Sequence, residues 1–153
     1  PYGAWSDQSI EGAPKQGLVG SYGRNVHCMK GTDNTSYFGR QGSIHVWSTP
    51  YVKTASEIPV ILDCAKSGGC VFSFDAPPKF EGDLLQEPVH YDEIRPFVVN
   101  RHNGYVNSLF CDWSVRKIGL KQLWQLKWHR EWPIPNDPPI WPYWMKKFKD
   151  YGI

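Results

Sequence analysis

The chain has no run of about 18 apolar residues, so nothing in it reads as a membrane-spanning helix. It opens on no basic, apolar, small-residue leader, so a signal peptide is expected to be absent or already removed. It has no clustered basic face: 17 Lys and Arg stand against 15 Asp and Glu, a net charge of +2. That balance speaks against a nucleic-acid partner. Familiar catalytic devices are missing too. There is no H-E-x-x-H or H-x-H, no G-x-S-x-G elbow and no phosphate-cradling loop. The Gly-rich stretch Gly17-Leu18-Val19-Gly20-Ser21-Tyr22-Gly23 lacks the Lys-Ser/Thr ending that phosphate binding needs. Charged residues make up 21% and hydrophobic ones 41%, the composition of a folded domain and not of a disordered chain.

What is present is aromatic, turn-rich and of single-domain size. The 153 residues include 8 Trp, 14 Gly and 13 Pro. Gly and Pro interrupt the chain too often for long helices to occupy most of it. Four cysteines, Cys28, Cys64, Cys70 and Cys111, permit two disulfides and three pairings. Cys64 and Cys70 enclose Ala65-Lys66-Ser67-Gly68-Gly69, and the glycine pair makes a tight return feasible. This is the preferred bridge. A zinc site is the rival, although the usual C-x2-C spacing is missing. Buried free thiols are the third reading.

Residues 1–42 read as irregular, with Val26–Met29 as a short strand and 30–40 as a polar loop. That loop carries Asn34-Thr35-Ser36, an N-glycosylation acceptor pattern. Ser43–Trp47 alternates like a strand. The apolar run Val60-Ile61-Leu62 reads as a buried strand over 58–64. Strands are further expected over 97–101, 105–111 and 114–118. Asn103-Gly104 is a strong turn signal because both residues tolerate positive φ. Leu120, Leu123, Trp124 and Trp128 then fall on one helical face, predicting a helix over 120–131. Pro133 ends it. A last short helix is expected over 142–151, with Trp144, Phe148 and Tyr151 on one face. The expectation is an α+β fold: a small antiparallel sheet with a C-terminal helix and long loops. Residues 1–132 form the domain and 133–153 a Pro/Trp-rich extension. Trp141, Trp144 and Phe148 are candidate interface residues, as aromatics are enriched at subunit contacts.

Candidate chemistry is sparse. Of the five histidines, His27, His45, His90, His102 and His129, the first three are scattered, and no pair can be placed together. Asp63, Asp75 and Asp112 would make an oxygen-rich calcium site if they met in space; otherwise no cofactor is expected. Asp112 can instead accept backbone N–H groups in its own turn. His102 could meet Asp112 across the hairpin, pinning strand register. A hydrolase built on that pair lacks a nucleophile and an oxyanion device, so no enzyme activity is expected.

Arg101-His102-Asn103-Gly104, followed by Val106-Asn107 and Leu109-Phe110-Cys111-Asp112, resembles the H-x9-D-G signature of bacterial prepilin-like proteins. These are related to type II secretion pseudopilins. Nine residues separate His102 from Asp112, as the signature requires, but Trp113 stands where the family has Gly. A subset of the family is similar to this chain from Asp112 to Arg130, in the form D-W-S-V-R-K-x-G-L-K-x-L-W-x-L-K-W-H-R. The likeness is specific over 97–130, looser over 18–64 and faint elsewhere. The resemblance implies a pilin-like globular domain that belongs with a long apolar N-terminal helix, which anchors the subunit in the membrane and later forms the filament core. This chain lacks that helix. It is therefore expected to be the globular part alone, with the helix on the same precursor or on a separate chain. The expected partners are that helix and further copies of the chain. The expected place is the cell surface or beyond, periplasm-facing before assembly. The competing class is an extracellular carbohydrate- or surface-binding module that uses exposed Trp5, Trp132, Trp141 and Trp144.

Overall fold

Why these residues fold as they do is clearest at the hairpin over 105–119. Tyr105–Phe110 (β8) alternates strictly, with Val106, Ser108 and Phe110 buried and Tyr105, Asn107 and Leu109 half-buried. Period-two burial is what a strand with one face on a core produces. β8 turns through 111–114 into Val115–Gly119 (β9) and pairs with it antiparallel, from Tyr105↔Gly119 to Leu109↔Val115.

The computed structural model describes residues 5–7, 18–28, 36–37, 40–83, 93–133 and 137–151. Its remaining strands are Trp5–Asp7 (β1), Leu18–Gly20 (β2), Tyr22–Asn25 (β3), Ser36–Tyr37 (β4), Arg40–Gln41 (β5), Pro59–Asp63 (β6) and Gly68–Gly69 (β7). β1–β2 and β4–β5 are small antiparallel pairs. The main sheet has five strands in the order β7-β3-β6-β8-β9. It is mixed, not wholly antiparallel as expected, because β7 runs parallel to β3. Its glycines permit this: a Cβ on Gly68 would stand 2.6 Å from Arg24 O, and one on Gly69 2.7 Å from Glu93 O. The glycine pair serves strand pairing instead of a disulfide return.

The core lies on one face of the sheet. Leu62, Val106, Phe110 and Ile118 pack there against Ile94, Phe97, Val99, Leu123, Trp124 and Trp128.

Five expected elements differ. The 97–101 segment is not a strand: Arg95–Phe97 is a 3-10 helix with Pro96 inside it, and Asp75 Oδ2 accepts Ile94 N at its entry. Val26–Cys28 is a 3-10 turn because buried Asn25 accepts His27 N and diverts the chain. Gly42–His45 is a single helical turn, not a strand. The helix expected over 120–131 is a 3-10 helix, Leu120–Gln125. Leu123 O takes the Trp128 indole N–H at 2.8 Å, and Lys127 N donates to Glu57 O. Those two groups would otherwise bond each other in an α-helix. The closing helix shrinks likewise to Tyr143–Met145.

Residues 137–151 fold back onto the core. Trp141, Trp144 and Phe148 pack against it, and the Trp144 indole donates to Pro78 O at 2.8 Å. The three candidate interface rings are thus half-buried in their own domain. Ile140 and Tyr143 are the exposed apolar residues of this tail.

Candidate functional site: the open sheet face and its two ends

Among the described residues, the second face of the main sheet carries side chains that are exposed or half-buried. Arg24↔Ile61, Ile61↔Leu109 and Leu109↔Val115 are direct cross-strand partners, so these four side chains form one row across β3, β6, β8 and β9. Ile61 is 41% and Val115 71% exposed, and Leu109 is half-buried between them. Tyr22 on β3, also exposed, and Lys117 on β9 lie in the next row of the same face. An apolar row on a sheet is normally buried against a second layer.

At one end of this face lies Asp63, 3% exposed. Its carboxylate accepts Asn107 N at 2.7 Å, and His102 Nε2 stands 3.1 Å and Arg101 Nη1 3.5 Å away. Arg101 also donates to Cys64 O and Ser21 O. Asn103 and Gly104 have φ of 53° and 91°, the turn conformation expected for them. Gly104 is further confined by the Phe148 ring, which a Cβ there would meet at 2.7 Å.

The other end is the β8–β9 turn. Asp112 Oδ1 accepts Ser114 N at 3.0 Å and the Ser114 hydroxyl at 2.6 Å, the local bonding expected of it. The hydroxyl first and then the N–H hold its carboxyl below the usual aspartate value. His102 and Asp112 therefore occupy opposite ends of β8 and do not pair; a six-residue strand stands between them. Trp113 has φ of 66° and is 74% exposed. Beside it opens a cavity of about 440 Å³ lined by Trp47, Pro50, Phe110, Trp113, Cys28 and Cys111.

The expected Cys64–Cys70 bridge is not formed. Cys64 Sγ accepts Lys66 N and lies against Gly23, whereas Cys70 Sγ lies 3.6 Å from His27 Nε2. Burial pushes the Cys64 thiol up to about 12. Burial raises the Cys28 and Cys111 thiols, and each also shifts the other.

The structure also holds a group that sequence spacing did not reveal. The rings of His27, His45 and His129 approach to 5.0 Å (His27–His129), 4.8 Å (His45–His129) and 6.3 Å (His27–His45). Phe72 and Trp132 pack on them. The three histidines come from segments far apart in the chain, so no local signal joins them. Among the described residues no group of three ligating side chains is arranged to hold a metal ion. The suggested calcium ligands are dispersed: Asp63 is bound as above, Asp75 caps Phe72 N and Ile94 N, and Asp112 caps its own turn. Trp132, one of the suggested stacking platforms, is buried, and Trp141 and Trp144 are half-buried. Asn34 and His90, and the side chain of Trp5, lie outside what the structure describes. Among the described residues no helix is long and apolar enough to cross a membrane.

No protein-family model, curated protein or solved structure matches this chain.

Proposed function

We propose that this chain is the globular part of a type IV pilin-like or pseudopilin subunit, a structural component of a filament at or beyond the cell surface. The observation that carries the reading is the partly exposed apolar row Ile61–Leu109–Val115 on a sheet whose other face is already filled by the core. An apolar helix laid across that row would supply the missing layer. The resemblance over residues 97–130 adds weight, because that segment builds the β8–β9 hairpin and carries two of the three row residues. Trp113 adds a local point: its φ is positive at the position where the family has Gly.

Electron microscopy of native material, with mass spectrometry of what co-purifies, tests the proposal. Ordered filaments that contain this chain and an apolar helical peptide, attached or separate, are expected. The double variant Ile61→Asp, Val115→Asp should keep its fold and lose incorporation. A native monomer with no apolar helix, or a variant that assembles normally, would sink the reading.

A further inference from the structure

We propose that Cys28 and Cys111 are the disulfide pair of this chain, joining the turn after β3 to the turn after β8 across the start of β6. Two backbone contacts place them together. Cys111 N donates to Ile58 O at 3.0 Å, and Cys28 Sγ lies 3.5 Å from Pro59 O, the next carbonyl along. Pro59 is itself in register with Phe110, the residue before Cys111. The two thiols line the same solvent-open cavity. Cys64 and Cys70 have different company, a backbone amide and a histidine ring, and are 0% and 2% exposed.

The chemistry needs a two-electron oxidant of the disulfide class, such as oxidised glutathione. The Cys111 sulfur, as its thiolate, attacks one glutathione sulfur. The glutathione disulfide breaks, a mixed disulfide forms and one glutathione leaves as thiolate. Cys28 gives its proton to that thiolate, and its sulfur displaces the second glutathione from Cys111, which leaves as a thiolate and takes up the proton that Cys111 released to solvent. The net change is two protein thiols oxidised and one glutathione disulfide reduced to two thiols. Burial raises both protein thiols, so the exchange is expected to be slow at neutral pH and faster as pH rises. The assignment is independent of the filament reading, since it rests on the reduced fold alone.

The test uses the full chain, reduced and then equilibrated in glutathione buffers of increasing oxidised fraction. It is quenched in acid, alkylated under denaturing conditions and weighed intact. Two alkylations in place of four are expected at the oxidised end, with a cross-linked peptide containing Cys28 and Cys111. Cys28→Ala and Cys111→Ser should each abolish that cross-link, and Cys70→Ser should leave it intact. The bridge closes a long loop, so the oxidised chain should melt higher than the reduced one, by on the order of 10 °C. Four free thiols under full oxidation, or a bridge between any other pair, overturns the assignment. If either variant does not fold, the wild-type peptide map alone decides.

Discussion

A bulky aromatic held at positive φ is costly, and Trp113 is one, with φ of 66° and little burial to offset it. The left-handed region costs an L-residue about 1–2 kcal/mol, and glycine in its place gives back about 0.5–1 kcal/mol in chain entropy. Trp113→Gly should therefore stabilise the chain by about 0.5–1 kcal/mol, read as a higher urea midpoint with unchanged slope. An unchanged or lower midpoint would mean that the indole makes a compensating contact. One position earlier, the Asp112 carboxylate is favoured by the Ser114 hydroxyl and N–H. Its folded value is lowered, so the turn gains stability above the ordinary aspartate value and loses it as pH falls through the lowered one. A carboxyl titration followed by NMR should place Asp112 below 3.8, and Ser114→Ala should move its midpoint upward.

At the scale of elements, the strand ends depend on one buried acid. Asp63 holds Arg101, His102 and the Asn107 amide, tying β6 to the turn that enters β8. Asp63→Ala leaves the guanidinium without its counter-charge and should cost about 3–5 kcal/mol in chemical denaturation. A cost under about 1 kcal/mol would show that solvent replaces the acid. The same elements show how far the sequence could be read. The hairpin was legible because alternation, the Asn103-Gly104 turn and the Asp112 side chain are local signals. The 120–131 helix was not, although its apolar stripe is real. What shortens it is the Trp128 indole on Leu123 O and the Glu57 carbonyl on Lys127 N, tertiary bonds that periodicity does not register. His102 could be singled out as a residue, but its partner Asp63 could not be found from spacing. The three packed imidazoles and the Cys28–Cys111 contact were hidden for the same reason.

For the whole molecule, the returning tail is part of the domain. Phe148 seats on Gly104, Tyr151 on Gly119 and Trp144 on Pro78 O, so the last described residues brace the end of the sheet that holds Asp63. Phe148→Ala should lower stability by about 2 kcal/mol, below the range for a fully buried Phe because the ring is half-exposed. The loss should be the same at every protein concentration; a loss that vanishes on dilution would assign the ring to a contact between copies. The strand order carries a further consequence. One outer strand is only Gly68–Gly69, too short to template a new strand, and the other, β9, presents Arg116 and Lys117 side by side. Short ends and adjacent cations both discourage strand-to-strand addition between molecules. This sheet is thus guarded against amyloid-like extension along its hydrogen-bonding direction, and growth into any ordered polymer must use its faces and not its rims.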